Sequence, residues 1–201
     1  MKTVLYAAIL SLLPLTASAQ VALNTQGQEP QYVETIKGRA QKIVDGLQLN
    51  DAQKAENVRN IIANRYFLLN DIHAKYGKDQ QDALYAELYK HHFELASALS
   101  LYLTAEQVDA VKDGMTYGRL KRDYQAQLDM IPSLKEEEKA QILIWLKEAR
   151  EYAMDAADSK GKHFWFDKYR GRTNNWLSAR GYDLKKERDN WMKRIEDAKK
   201  K

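Results

Sequence analysis

The 201-residue sequence contains no cysteine, only three prolines and only nine glycines. The lack of cysteine excludes disulfide bonds, thiolate zinc sites and a cysteine nucleophile. So few prolines and glycines exclude collagen-like and low-complexity chains. A chain of 201 residues is long enough to bury a core as one domain, and the 44% of its residues that are hydrophobic can supply that core.

Long hydrophobic runs are also absent, apart from one near the N-terminus. Lys2 precedes an apolar stretch over residues 4–15, and the small residues Ala-Ser-Ala occupy 17–19. This order is typical of a secretory signal peptide, and we predict a cleaved signal over residues 1–19, with cleavage near Ala19 and Gln20. No later cysteine is available to carry a lipid, and no later segment is apolar enough to span a membrane. We therefore expect a periplasmic or secreted protein that does not span a membrane.

Charge is low overall but unevenly distributed. The formal net charge of +4 is too small to indicate a dedicated polyanion partner. Residues 160–201 nevertheless hold 14 Lys and Arg against 6 Asp and Glu, whereas residues 20–159 hold 17 against 22. The C-terminal segment is therefore basic. Since export separates the protein from nucleic acid, we predict no nucleic-acid partner.

Apolar residues recur at helical spacing through most of the chain, and no run alternates as a β-strand requires. The first predicted helix shows this spacing at Val33, Ile36, Ala40, Ile43, Val44 and Leu47. A second, longer helix is predicted to stop at Gly77, a third is predicted over residues 80–99, and an amphipathic one over residues 184–201. We predict an all-α fold in which residues 20–201 form a single compact bundle of about seven or eight helices, with a basic, aromatic-rich segment over 160–201.

Helix starts and stops are indicated by local signals. Three segments put a small polar residue three positions before Gln or Glu, which is the capping-box pattern of a helix N-terminus: Asn50–Gln53, Thr104–Gln107 and Ser133–Glu136. Glycines predict where helices stop: a break at Gly114 and Gly118, and an end or interruption at Gly171 and at Gly181.

Two of these segments have a second interpretation. Leu49-Asn50-Asp51-Ala52-Gln53 and Leu103-Thr104-Ala105-Glu106-Gln107 resemble the Leu-Thr-x-x-Gln motif, which occurs twice in small, all-helical periplasmic stress chaperones. The resemblance covers five residues each time, and any leucine before a capping box satisfies it. It implies a holdase chaperone as an alternative function.

The second half of the chain carries a more distinctive set of segments. They are Asp113-Gly114-Met115-Thr116-Tyr117-Gly118, Tyr124, Leu128-Asp129-Met130-Ile131-Pro132, residues 135–141, residues 148–156, Lys168-Tyr169-Arg170-Gly171-Arg172, Asn174-Asn175-Trp176-Leu177-Ser178 and Gly181-Tyr182-Asp183-Leu184. They resemble a secreted domain-of-unknown-function family encoded in polysaccharide-utilisation gene clusters of Gram-negative glycan degraders, often beside pectin-processing enzymes. The resemblance implies a periplasmic helical protein connected with plant-glycan breakdown. It implies no settled reaction and no catalytic residues.

The basic segment interleaves cations with aromatic and amide side chains. Aromatic faces stack on the C–H surfaces of sugars, and arginine binds carboxylates in a bidentate way, so this mixture predicts an acidic oligosaccharide ligand. In the alternative interpretation, the aromatic residues belong to the core and the basic ones form a solvated face. The candidate ligand-binding residues are Lys162, His163, Trp165, Lys168, Tyr169, Arg170, Arg172, Asn174, Asn175, Trp176, Arg180 and Tyr182.

Signals for metal or cofactor chemistry are scarce. Glu87, His91 and Glu94 share helical spacing and offer potential ligands, but no ligand-dense motif surrounds them, and we predict no metal site. The sequence lacks a P-loop, a dinucleotide fingerprint, a nucleophile elbow and a His-Glu-x-x-His motif, and we predict no cofactor.

Three functions therefore remain open. The first is a periplasmic accessory or binding protein for acidic, pectin-type plant polysaccharides, and the second is the holdase chaperone. The third is a small lyase that cleaves uronate-containing oligosaccharides by β-elimination. In that case His163, Tyr169 or a lysine would supply the base, and Arg170 or Arg172 would neutralise the carboxylate.

Overall fold

The computed structural model of the protein describes residues 20–200. Over this range the chain forms nine α-helices and no β-strand, which confirms the predicted all-α class. The helices are α1 (Pro30–Asp45), α2 (Ala52–Lys75), α3 (Gln81–His91), α4 (Glu94–Leu99), α5 (Ala105–Met115), α6 (Arg119–Met130), α7 (Glu136–Met154), α8 (Ser159–Ala179) and α9 (Leu184–Lys199). The predicted signal peptide, residues 1–19, lies outside the described residues.

Helices α3 and α4 are the two pieces of the single helix predicted over residues 80–99. They are separated only by His92 and Phe93, and counting them together gives eight helices, within the predicted number. The break has a tertiary cause, because the Arg65 side chain donates a hydrogen bond of 2.8 Å to the backbone carbonyl of His91. A carbonyl at a helix end needs such an outside donor.

Two large hydrophobic clusters organise the helices. The first is formed by α1, α2, α4 and α5, and the predicted stripe of α1 is buried in it at Val33, Ile36, Ala40 and Val44. The second is formed by α6, α7 and α8, with Phe166 as its largest fully buried side chain. A third, small cluster packs Leu84 and Leu88 of α3 against α2. None of the described helices combines the length and apolarity that crossing a membrane requires.

Only one of the three predicted capping boxes is present. Thr104 and Gln107 bond reciprocally at the start of α5, as predicted. At α2 the cap is Asp51, whose carboxylate accepts from the backbone N–H of Lys54, so the prediction of Asn50 is wrong by one residue. At α7 the predicted pair of Ser133 and Glu136 is wrong by two residues. The cap is Lys135, and the carboxylate of Glu138 accepts from the Lys135 N–H at 3.0 Å. Both chaperone-like segments therefore lie at helix starts.

The predictions for the glycines have different outcomes. The break between α5 and α6 is confirmed, and Gly118 there has a φ of 62°. Gly181 follows α8 with a φ of 93°, and the N–H of Tyr182 donates to the carbonyl of Leu177, which is a Schellman ending. Gly171, in contrast, lies inside the uninterrupted α8, so the prediction of an interruption there is wrong.

Gly171→Ala is expected to raise the free energy of unfolding by about 0.5–1 kcal/mol, because alanine loses less backbone entropy than glycine in a helix. A Cβ atom at residue 171 would meet no atom within 4 Å. Gly114→Ala is the contrasting variant, since its Cβ would lie 3.0 Å from Cγ1 of Ile43 and crowding would offset the gain. Urea denaturation followed by circular dichroism measures both, and equal effects would contradict the expectation.

Candidate functional site

A cleft of about 910 Å³ lies between α3 on one side and α7 and α8 on the other. We call it the aromatic cleft. Each helix contributes residues spaced three or four apart, so each presents one face to it. The lining residues are His73, Tyr76, Gly77 and Lys78 from the end of α2 and the loop after it; Gln81, Leu84, Tyr85, Leu88, Tyr89, His92 and Phe93 from α3 and its end; and Glu148, Glu151, Tyr152, Asp155, Ala156, Ala157, Gly161, Phe164, Trp165 and Lys168 from α7, α8 and the loop between them.

Exposed aromatic rings line the aromatic cleft on both sides. On α3, Leu84 and Leu88 pack inward, so Tyr85 and Tyr89 point away from the core, and Tyr89 is 69% exposed. Phe93 continues this side and meets Tyr89 edge to face at 5.9 Å. On the other side, further rings stack: Tyr152 of α7 lies 4.5 Å from Trp165 of α8 at an interplanar angle of 18°. Such large exposed rings are typical of a binding surface.

The floor of the aromatic cleft is a polar cluster around Asp155, the residue that ends α7. Its carboxylate accepts from Arg65 through Oδ1 and from Nδ1 of His92 through Oδ2, the latter at 2.6 Å. Its backbone carbonyl accepts from Nε2 of His73 at 2.7 Å. One residue thus joins α2, the end of α3 and α7.

These partners fix the tautomers of the two histidines. A carbonyl oxygen only accepts, so His73 carries its proton on Nε2. The carboxylate of Asp155 likewise makes Nδ1 the protonated nitrogen of neutral His92, which leaves the lone pair on Nε2. That Nε2 atom lies 3.6 Å from Glu151, and the His92 side chain is 17% exposed within the cleft lining. His92 is therefore an oriented imidazole, with Asp155 at its Nδ1 and Glu151 near its Nε2.

The charges of the aromatic cleft do not cancel. Each carboxylate in the lining has a basic partner: Asp155 pairs with Arg65, Glu151 with Lys112 at 2.8 Å and Glu148 with Arg172 at 3.4 Å. Lys78 and Lys168, in contrast, form no ion pair with any residue that the structure describes. Lys168 lies 4.7 Å from the ring centre of Trp165 instead. The charge left unpaired in the cleft is positive.

Of the residues predicted to bind a ligand, the aromatic cleft contains two, Trp165 and Lys168. Lys162 lies on another face of α8. Its ammonium group is buried and donates to the carbonyls of Ala153 and Met154, at 3.1 and 3.2 Å, at the end of α7. It also lines a second cavity of about 300 Å³, the basic pocket, together with Tyr32, Arg39, Lys42, Tyr66, Tyr117 and Asp158.

Burial of Lys162 makes stability depend on pH. Burial lowers its pKa to about 8, against a smaller opposing effect of Asp155. Above this value the folded lysine is neutral while the unfolded one, with a pKa of 10.5, keeps its proton. The unfolded state then binds more protons, so stability increases as pH rises through this window.

We therefore expect the wild-type protein to gain roughly 2 kcal/mol over Lys162→Met between neutral pH and the onset of tyrosine ionisation. Urea denaturation across this range measures the gain. The exposed Lys160 supplies the control, since Lys160→Met should change stability equally at every pH. A flat difference for Lys162→Met would contradict the expectation. At higher pH the trend reverses, because burial raises the pKa of Tyr66 to about 12.

The other predicted residues lie along α8 and beyond it, and several hold the second cluster together. Tyr169 is buried, and burial with a hydrogen bond to Glu148 raises its pKa. Arg172 lies over the ring of Trp145 at 4.7 Å, and Arg180 over that of Trp176 at 4.3 Å.

The remaining members are also dispersed. Tyr182 donates from its hydroxyl to Glu138 at 2.6 Å, and this bond lowers the pKa of Glu138. His163 contacts Arg119 of α6 through Nδ1 at 2.9 Å. Arg170 is exposed and pairs with Asp167, Asn175 is exposed, and Asn174 is half-buried. The basic segment thus supplies one wall of the aromatic cleft and several packing contacts, rather than one site.

Sequence reasoning did not identify the opposite wall and the floor. Only Tyr85 and Tyr89 could have indicated this wall from the sequence. They are two aromatic residues four positions apart, each next to a core leucine, Leu84 or Leu88, and so lie on a face of α3 that is not core. His92 and Asp155 carry no such signal. They are 63 residues apart in sequence, and only the packing of α3 beside α7 brings them together.

The potential metal ligands named from the sequence have other partners in the structure. Of the potential ligands Glu87, His91 and Glu94, Glu87 pairs with Lys90 at 2.7 Å, and His91 and Glu94 bond directly to each other at 2.9 Å. Over residues 20–200, no three His, Asp or Glu side chains are grouped in a way that could hold a metal ion.

Comparison with known sequences assigns the family. No curated protein matches the chain. The profile of one family matches residues 33–80 and 75–197, which is most of the sequence. The matched residues include the floor of the aromatic cleft, namely Arg65, His73, His92 and Asp155. The chain therefore belongs to the family described as "Protein of unknown function (DUF3826)".

Proposed function

We propose that the protein binds acidic plant oligosaccharides of the pectin type in the aromatic cleft, as an exported accessory protein of polysaccharide utilisation. One observation carries the proposal: exposed aromatic rings line both sides of a cleft whose unpaired charges are two lysines. Export rests on the predicted signal peptide. The connection with plant glycans rests on the resemblance of the segments between Asp113 and Leu184 to a family encoded in polysaccharide-utilisation gene clusters.

The aromatic rings favour a sugar ligand. Pyranose rings present flat C–H faces that stack on aromatic faces, while their hydroxyl groups need polar partners nearby. The aromatic cleft offers both, since Tyr85, Tyr89 and Trp165 surround a floor with His73 and His92. Its volume of about 910 Å³ is within the range of about 300–1,000 Å³ for ligand sites.

The lysines favour an acidic sugar. A uronate carries one carboxylate per residue, and a charge-assisted hydrogen bond to an ammonium group is stronger than a neutral one. Because the lining carboxylates already pair with Arg65, Lys112 and Arg172, they repel such a ligand less than their number indicates. Lys78 and Lys168 remain to bind the uronate groups.

The test is titration calorimetry of the protein lacking residues 1–19 with oligogalacturonides and with neutral oligosaccharides of equal length, at low and moderate salt. We expect binding of the acidic series that survives moderate salt. Lys168→Ala should weaken it by about 10–100-fold, which corresponds to a charged hydrogen bond of about 1.5–3 kcal/mol. Trp165→Ala should weaken it about tenfold or more, and Trp165→Tyr should restore part of the loss.

Arg170→Ala is the matched control, because Arg170 is an exposed cation on the same helix but outside the aromatic cleft. Its binding should equal that of the wild type. Equal losses for Arg170→Ala and Lys168→Ala would mean that the ligand responds to the general charge of the basic segment. That result, or an absence of binding to every acidic oligosaccharide, would overturn the proposal.

A further inference from the structure

We infer that the aromatic cleft is also a catalytic site, in which His92 is the general base of a β-elimination that cleaves the bound uronate chain. This inference rests on the proposed function, because it takes the acidic oligosaccharide as the substrate. Of the bases that the sequence suggested for a lyase, His163 and Tyr169 lie outside the cleft, whereas a lysine of the basic segment, Lys168, lines it; His92 was not among them.

The first argument is the orientation of His92. Its Nδ1–H donates to the carboxylate of Asp155 at 2.6 Å, and His92 lines the cleft beside Glu151, whose carboxylate lies 3.6 Å from Nε2. A buried carboxylate that holds the far side of an imidazole fixes the tautomer and stabilises the imidazolium formed when the ring takes a proton. Asp155 is thus a positioning residue, and Arg65 in turn holds Asp155 in place.

The second argument concerns the chemistry that the cleft does not favour. None of the residues lining the described cleft is a serine, threonine or cysteine, so His92 has no hydroxyl or thiol of those types to activate as a nucleophile. Glycoside hydrolysis needs a protonated carboxylic acid opposite a second carboxylate. In the aromatic cleft each lining carboxylate is instead paired with a lysine or an arginine, so no two of them are left to act as such an acid and its partner.

β-Elimination needs only a base and a cation, and the aromatic cleft has both. Nε2 of His92 takes the proton from C5 of the uronate, and the electron pair of that C–H bond forms the C4=C5 double bond. The bond from C4 to the glycosidic oxygen breaks, and the oxygen leaves with its electrons and takes a proton from the imidazolium. Lys168 or Lys78 pairs with the uronate carboxylate and stabilises the negative charge that builds up there. Atoms and electrons balance without water or an oxidant.

The experiment follows the ultraviolet absorbance of the new conjugated double bond in solutions of polygalacturonate and its oligomers, with binding measured in parallel. We expect absorbance to grow with the wild-type protein. His92→Gln, which cannot take the proton, should reduce the rate by about 10²-fold or more and leave oligosaccharide binding within a few-fold. His91→Gln is the matched control, since the neighbouring histidine does not line the cleft and should retain full activity.

The positioning role of Asp155 has its own readout. Asp155→Asn keeps an oxygen that can accept from Nδ1 of His92 but removes the negative charge, so kcat should fall while KM stays within a few-fold. Asp155→Glu should restore part of kcat. A loss that tracked the folded fraction alone would contradict this role.

The outcomes separate this inference from the proposed function. Binding of oligogalacturonides without any absorbance change, or full activity in His92→Gln, would overturn the catalytic inference and leave the binding proposal standing. An absence of binding would overturn both. Product formation that depends on His92 would support both.

Discussion

Asp155→Ala is expected to lower the free energy of unfolding by about 3–5 kcal/mol. The substitution removes the counter-charge of Arg65, whose side chain is only 4% exposed, and leaves that guanidinium buried without its carboxylate partner. It also removes the acceptor for Nδ1 of His92. Breaking a buried ion pair on one side is costly because the remaining charge has lost both water and partner. Urea denaturation followed by circular dichroism measures the change.

Asp197→Ala is the control for this prediction. Asp197 lies on α9, is 75% exposed, and pairs with Lys200 at 4.0 Å. An exposed ion pair contributes little, so its removal should change stability by less than about 0.5 kcal/mol. A loss below about 1 kcal/mol for Asp155→Ala would show that Arg65 is hydrated in the folded protein, which its burial argues against.

Arg150→Met is expected to have a similar effect, about 3–5 kcal/mol, at the contact between α5 and α7. The guanidinium of Arg150 donates to Asp113 and to Asp109, each at 2.7 Å, and the Arg150 side chain is 4% exposed. Methionine keeps much of the apolar stem but leaves Asp113, with 12% of its side chain exposed, as an unpaired buried carboxylate. Asp109 is 48% exposed and is hydrated when the arginine is removed.

Two further variants test the cause of that loss. Arg170→Met removes an arginine that is 57% exposed and lies 3.4 Å from Asp167, and should cost less than about 0.5 kcal/mol. Adding Asp113→Leu to Arg150→Met removes the unpaired carboxylate, so the double variant should be more stable than Arg150→Met alone. If the second substitution lowered stability further instead, the loss would come from packing rather than from the buried charge.

The helical class follows from sequence because it depends on local periodicity. The stripe of α1 at Val33, Ile36, Ala40 and Val44 is visible in the sequence and is buried in the structure. Helix boundaries were predicted less well where a distant residue decides them. The break after His91 depends on Arg65 of another helix, and the start of α7 depends on Glu138, which Tyr182 binds from 44 residues away.

The candidate site follows from sequence only in part, and for a related reason. The composition of α8 marks it as a basic and aromatic helix, and the structure brings two of its predicted residues, Trp165 and Lys168, to the aromatic cleft. Periodicity shows which face of a helix is not core, but it does not show what that face meets. Asp155 and His92 each have ordinary neighbours in sequence, and their pairing exists only through the packing of α3 beside α7.

The stacked arrangement at the cleft wall has an optical consequence. Of the four tryptophans in the sequence, Trp165 is the one in the lining of the aromatic cleft, whereas Trp145 and Trp176 meet edge to face at 5.2 Å in the second cluster. A ligand that draws Lys168 from its position 4.7 Å from the Trp165 ring changes the surroundings of that indole alone. The difference between the emission spectra of the wild type and of Trp165→Phe is therefore the emission of Trp165, separated from that of the other three tryptophans.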